Sequence, residues 1–326
     1  MRLIYCSMIA IIVSACTQAE PLPTLKLEPN ISVSGISSGA YMATQFHLAH
    51  SSRVHAVGLI AGGPYECAMG DLSTALGRCV DKQDKPIDLT ALKLLTEARV
   101  SGGMVDSLES LKLSKIWIFH GTEDNRVSEK VTDASADFYQ MFVPAKSIQY
   151  LKNVAAAHAF PTANYGAACA HYSSPFINNC NFDAAKAILE NAYGSLNAAS
   201  SPTEAKRFDQ GLYATKSGNT LADEGFVYIP KVCAEGQTCR VHVAFHGCQQ
   251  NAESIAQQFV DGAGYNQWAE SNRIVVLYPQ TKASFVPLNP KACWDWWGYT
   301  DANYATKNGQ QIQQVSNMLK ALGVDF

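Results

Sequence analysis

Ile31-Ser32-Val33-Ser34-Gly35-Ile36-Ser37-Ser38-Gly39-Ala40, continued by Tyr41-Met42-Ala43-Thr44-Gln45-Phe46, is the stretch that decides the fold. Its β-branched start predicts a short buried strand. Gly35-Ile36-Ser37-Ser38-Gly39 then matches G-x-S-x-G. The residues that follow predict a helix with Met42, Phe46 and Ala49 on its inward face. Strand, sharp turn with a serine at its tip, then helix is the setting of a nucleophile elbow. In so tight a turn, a side chain at either glycine would collide with the neighbouring strand or helix. Ser37 is therefore the candidate nucleophile. The competing explanation is a serine-rich turn that caps an ordinary helix.

Outward from this stretch, Val54–Ile60 and Lys115–Phe119 read as buried strands, with another near Ser147–Leu151. Phe226–Ile229, Arg240–Phe245 and Ile274–Tyr278 read the same way. Helical patterns separate them: material up to about Leu111, then 129–142, Phe182–Tyr193 and Ala252–Asn272. A last helix carries Ile312, Val315, Leu319 and Leu322 on one face. Strands alternating with helices predict an α/β fold with a mostly parallel sheet flanked by helices. Ser200-Ser201-Pro202 reads as an internal boundary. Gly262-Ala263-Gly264 lacks the third glycine of a dinucleotide fingerprint.

A nucleophilic serine needs a base, and the base needs an orienting acid. In α/β-hydrolases these follow the serine in the order Asp, His, on loops after strands. Asp124 lies just past the Trp117–Phe119 strand. His158 lies past the next strand, on the small-residue loop Ala155-Ala156-Ala157-His158-Ala159. His158 Nε2 is expected to take the Ser37 proton, and Asp124 to accept from Nδ1–H. Glu123 competes with Asp124, whereas Asp133 and Asp137 fall in the following helix. Position sets the other histidines aside. His47, His50 and His55 belong to surface or local packing, and His120 and His246 open His-Gly turns. His171 sits in a cysteine loop and His242 in a strand.

An oxyanion hole needs two donors. One is expected from the backbone N–H of Ser38, the other from a His-Gly loop after a neighbouring strand. That loop normally precedes the elbow. Here the match, His246-Gly247-Cys248, follows Gly35 by more than 200 residues. A circular permutation accounts for the inversion: 203–326 read first and then joined to the Ile31 strand restores the usual order. Permutation is easy where chain ends lie close together at a surface. A separate C-terminal domain with an unrelated His-Gly turn is the alternative.

The chain has 326 residues, 47% hydrophobic and 16% charged, which suits a globular fold. A formal net charge of -3 and the lack of a long basic run give no sign of a nucleic-acid partner. Residues 1–19 read as a signal peptide: Met1-Arg2, then an apolar core from Leu3 to Val13 too short to span a membrane. Val13-Ser14-Ala15-Cys16 resembles a lipobox, with cleavage before Cys16 and lipid on its sulfur; ordinary cleavage after a small-residue site is the rival. Residues 20–326 then form one catalytic domain, entered through a Pro-rich polar tether at 20–29. Export implies paired cysteines. Apart from Cys6 and Cys16, eight remain, which allow 105 connectivities. Proximity suggests Cys67–Cys79, Cys169–Cys180 and Cys233–Cys239, leaving Cys248–Cys293 as a long-range staple. No C-x-x-C or H-E-x-x-H points to zinc.

Three features together resemble the poly(3-hydroxybutyrate) depolymerases: Gly35-Ile36-Ser37-Ser38-Gly39, the late His246-Gly247-Cys248-Gln249-Gln250, and Cys293-Trp294-Asp295-Trp296-Trp297. The likeness is to their single-domain, circularly permuted extracellular type, first known from fungi, and covers about residues 28–326. It implies a circularly permuted α/β-hydrolase fold with catalytic Ser37, Asp124 and His158 and oxyanion amides at Ser38 and Cys248. It also implies a surface-open crevice for a polyester chain. Trp294, Trp296 and Trp297 would wall that crevice if Cys293 pairs with Cys248; core packing is the alternative for at least one of them. The expected protein is an exported monomeric serine esterase without a cofactor, secreted or lipid-anchored through Cys16. It would cleave poly(3-hydroxybutyrate) or its oligomers through an acyl-enzyme. A feruloyl or acetyl esterase of the same fold and a non-catalytic surface lipoprotein are the rivals.

Overall fold

The computed structural model describes residues 19–81 and 85–326. The leader, with its candidate lipidation site Cys16, lies outside the described residues. Among the described residues, eleven strands are β1 (Leu27–Ile36), β2 (Val54–Ile60), β3 (Lys115–Gly121), β4 (Ile148–Val154), β5 (Phe160–Thr162), β6 (Ala167–Ala168), β7 (Ile177–Asn179), β8 (Lys206–Asp209), β9 (Glu224–Tyr228), β10 (Cys239–Phe245) and β11 (Ile274–Tyr278). Eight of them form one sheet in the order β4-β3-β2-β1-β10-β11-β9-β8. From β4 to β11 all neighbours run parallel, while β9 is antiparallel to both β11 and β8.

Period-two alternation makes this sheet a central layer. Ile31, Val33, Val241, Val243, Phe245, Val275 and Leu277 enter one core. Ile36, Trp117, Phe119, Ala244, Val276 and Tyr278 enter the other. Both faces are therefore covered, as parallel strands require. The elbow helix α1 (Ser38–Ala49) is buried along all twelve residues, not only along the Met42–Phe46–Ala49 stripe. Two of its buried polar residues are bonded: Gln45 Nε2 donates to the Asp295 carbonyl at 2.8 Å, and His47 bridges Tyr139 and Ser114 at 3.0 and 2.9 Å.

The permutation can be read from the sheet. Counted from β8 through β11 and then from β1 to β4, the spatial order becomes 1-2-4-3-5-6-7-8, with strand 2 antiparallel, which is the α/β-hydrolase order. The chain end and beginning meet where that count is joined. Leu25 N–H donates to the Leu322 carbonyl at 2.8 Å, at the end of the last helix (Gln310–Leu322). The link from the helix Ala184–Tyr193 to β8 contains Ser200-Ser201-Pro202. It separates no sheet, because β8 joins the same eight strands.

Two expectations change. The single helix over Ala252–Asn272 is three pieces, Ala252–Ile255, Gln258–Gly262 and Tyr265–Asn272. Positive φ at Ala256 (φ 52°) and Gly264 (φ 93°) ends each run. The sequence pattern also missed β8 and the small sheet β5-β7-β6. The structure joins Cys67–Cys79, Cys169–Cys180, Cys233–Cys239 and Cys248–Cys293.

Candidate active site

Ser37 stands between β1 and α1 with φ 56° and ψ -122°, a strained conformation for a residue with a side chain. Such strain persists only where the surroundings impose it. A Cβ on Gly35 would come within 2.2 Å of the Gly39 carbonyl, and one on Gly39 within 2.3 Å of the Phe245 carbonyl oxygen. The two glycines thus let strand, turn and helix close on one another and on β10. Ser37 makes no side-chain capping bond to α1, so the capping alternative lapses. Its Oγ is left to the cavity.

Asp124 leaves the end of β3 with its side chain 1% exposed. Oδ1 accepts from the amides of Arg126 and Val127 at 2.9 and 3.0 Å. Oδ2 accepts from His158 Nδ1 at 2.7 Å. Burial alone would raise the Asp124 pKa; His158 and these hydrogen bonds outweigh it and hold the carboxyl below its ordinary value. Glu123 is exposed. Backbone bonds from Thr122 N–H to the Val154 carbonyl and from Glu123 N–H to the Ala156 carbonyl lash the acid's loop to the histidine's. With Nδ1 donating to Asp124, His158 presents Nε2 to the cavity it shares with Ser37. His120 is buried and bonds the Val127 carbonyl at 2.9 Å, so it shapes the acid's loop. His171 is exposed.

The His246–Cys248 loop closes the site from β10. Gly247 N–H donates to Gln250 Oε1 at 2.8 Å, Gln249 N–H to the Lys291 carbonyl at 2.8 Å, and Gln250 N–H to the Gly247 carbonyl at 3.2 Å. The amides flanking Cys248 are therefore engaged, whereas no hydrogen bond holds Cys248 N–H among the described residues. Ser38 N–H, the first amide of α1, likewise has no acceptor inside its helix. Gln250 Nε2 ties the loop to the carbonyls of Pro175 and Phe176 at 3.2 and 2.9 Å. His246 donates from Nδ1 to the Gly247 carbonyl, and burial lowers its pKa to about 4, so it is neutral.

The cavity above Ser37 measures about 550 Å³. Trp296 and Trp297 line it, Trp296 stacked on Tyr41 with centroids 4.2 Å apart. Trp294 does not line it. That ring is fully buried and packs edge-on against Phe245, 4.9 Å away, so it is core. The Cys248–Cys293 bridge lies in the cavity wall and draws the tryptophan loop to the His246–Cys248 loop. No sequence signal announces Tyr172 and Phe176, which reach the cavity from the Cys169–Cys180 loop, nor Arg126 and Leu288. The bracketing cysteines mark that loop as compact without saying where it packs. No cluster of three His, Cys, Asp or Glu residues suited to a metal occurs among the described residues.

A permuted α/β-hydrolase sheet with a serine at the elbow, facing the cavity of a bonded Asp–His pair, defines the class: the serine hydrolases. The comparisons give the family. No family model matches the chain. The chain is 34% identical to the polyhydroxybutyrate depolymerase of Talaromyces funiculosus, covering 96% of the chain and 95% of that protein. It is 41% identical to the poly(3-hydroxybutyrate) depolymerase of Delftia acidovorans over 92% of the chain, but spans only 61% of that longer relative. Among solved structures, the PHB depolymerase of Penicillium funiculosum matches with a TM-score of 0.85 and 33% identity, covering 94% of this chain and 100% of that one. A serine-to-alanine PHB depolymerase holding an R3HB trimer also matches at 0.85, with 32% identity and the same coverage. The chain belongs to the poly(3-hydroxybutyrate) depolymerase family.

Proposed function

We propose that the chain is an exported serine esterase that hydrolyses poly(3-hydroxybutyrate) or its oligomers through an acyl-enzyme on Ser37. The carrying observation is the elbow serine and the Asp124–His158 pair opening on one largely apolar cavity. Ser37 Oγ attacks the ester carbonyl as His158 Nε2 takes its proton. Ser38 N–H and Cys248 N–H donate to the developing oxyanion. Collapse breaks the carbon–oxygen bond, and His158 returns the proton to the leaving alcohol. Water, deprotonated by the same imidazole, then releases the acid and restores Ser37. Asp124 holds the imidazole in one tautomer and stabilises its charged form.

A polyester, more than a feruloyl or acetyl sugar ester, suits the walls. Trp296, Trp297, Phe176, Leu72 and Leu288 offer apolar contact. On the segment that brings Leu288 to the cavity, Phe285, Val286 and Leu288 project at 86, 93 and 54% exposure, a surface suited to a solid apolar polymer. The four disulfides fit an extracellular enzyme. We extend the proposal to a monomer exported by residues 1–19 and anchored by lipid at Cys16, which fatty-acid labelling would reveal. The deciding experiment is a substrate panel on the purified mature chain. Release of 3-hydroxybutyrate from polymer or oligomer is the expected result. Release of ferulate or acetate alone would move the enzyme to the carbohydrate esterases.

A further inference from the structure

The cavity is mainly apolar, yet a cation stands at its catalytic lip. Arg126 follows Asp124 by two residues, and its amide is held by Asp124 Oδ1 at 2.9 Å. Its side chain is exposed and lines the cavity. The guanidinium carbon lies 4.3 Å from the centroid of the Tyr172 ring. Tyr172 in turn sits 6.2 Å from the His158 ring and 5.0 Å from Phe176. The position of Arg126 is therefore set by stacking, which narrows its rotamers before any ligand arrives. Asp81 lines the same cavity, but Arg126 forms no ion pair with it or with any other carboxylate among the described residues.

The substrate chemistry says what this cation would meet. His158 must protonate the leaving alcohol, so the alcohol half of the ester lies on the His158 side. In a 3-hydroxybutyrate ester that alcohol carbon bears a methylene and then a carboxyl group, three bonds beyond the scissile oxygen. Inside a chain this carboxyl is esterified and neutral. At the chain end it is a free carboxylate, ionised at neutral pH. A guanidinium is always charged, and its fork matches a carboxylate.

We propose that Arg126 recognises the terminal carboxylate of the leaving unit and so directs cleavage toward the free-acid end of soluble oligoesters. The inference rests on the esterase reading above and names the substrate end that this site prefers.

The test compares kcat/KM for the soluble hydroxybutyrate trimer as free acid and as its methyl ester. Wild type should favour the acid about tenfold, the scale of one charge-assisted hydrogen bond. Arg126→Ala should bring the ratio close to one, and Arg126→Lys, which keeps the charge but loses the fork, should fall between. Lys291→Ala removes another cation lining the cavity and should leave most of the preference standing. Melting curves check that the variants fold. A wild-type ratio near one, a ratio unmoved in Arg126→Ala, or an equal loss in Lys291→Ala would overturn the proposal. Failure of the wild type to cleave either trimer would strike the esterase reading itself.

Discussion

The two halves of the sheet give the cavity different kinds of group. The strands from the beginning of the chain, β1 to β4, carry the side chains to which we assign the chemistry: Ser37 and His158 on the cavity, with Asp124 bonded behind His158. The strands from its end, β8 to β11, deliver groups that stay as they are: the Cys248 amide, a disulfide and the faces of Trp296 and Trp297. The first set depends on residue identity. The second depends on where the backbone lies. The halves meet along the parallel β1–β10 pair, whose register sets Gly35 beside Phe245, just before the elbow and the oxyanion loop respectively. Chemistry and its electrostatic support thus come from opposite ends of the chain and are aligned by one seam.

Substitutions should separate the halves by size of effect. Ser37→Ala removes the nucleophile and should lower kcat on the order of 10⁵–10⁶-fold without changing the melting temperature. Asp124→Asn, which lets the imidazole take the wrong tautomer, should cost about 10⁴-fold. A steady-state assay on a soluble ester measures both. Activity within tenfold of wild type in either variant would remove the assigned roles.

Gln250 tests the other half without touching a reacting atom. Its Oε1 holds Gly247 N–H, and its Nε2 holds the carbonyls of Pro175 and Phe176. Gln250→Leu should let the loop drift and misaim Cys248 N–H. The expected loss is about 10²-fold in kcat, the scale of one oxyanion donor, with a smaller change in KM. If KM alone responds, the loop serves binding and not the transition state.

The same division explains what the sequence disclosed. The candidates Ser37, Asp124 and His158 could be picked out because reactive side chains must be of particular types and fall just after strands, and the structure sets Ser37 and His158 on one cavity with Asp124 bonded to His158. The permutation was legible because His246-Gly247 stood on the wrong side of the elbow. Backbone-borne features were harder. The sequence shows three tryptophans but not that Trp294 turns inward against Phe245 while its neighbours face the cavity. Lys206–Asp209 escaped as a strand because this short edge buries only Phe208. The break at Ala256 carries no glycine to announce its positive φ. Arg126, Tyr172 and Phe176 meet only after folding, from loops with no shared motif.

The seam itself has a measurable weakness. His242 lies fully buried on β10, with Nδ1 2.7 Å from Ser32 Oγ and Nε2 2.7 Å from Ser34 Oγ, both on β1. Ser32 donates to Tyr193, which donates to the Val241 carbonyl, so Nδ1 must carry the proton and Nε2 must accept from Ser34. Burial, helped by the nearby His55, lowers the His242 pKa to about 3. The sign follows from linkage. Below the ordinary value near 6.5 the unfolded chain takes up a proton that the folded chain refuses. This part of the stability is complete above that pH and drains away as pH falls toward 3. His47, lowered to about 3, and His246, lowered to about 4, act in the same direction. Denaturant-derived stability should therefore fall between pH 7 and pH 5, each buried histidine adding up to about 1.4 kcal/mol per pH unit. His242→Gln keeps one donor and one acceptor but cannot titrate. It should flatten the slope by one histidine's share, and an unchanged slope would mean that the seam holds its neutral imidazole at no cost in pH sensitivity.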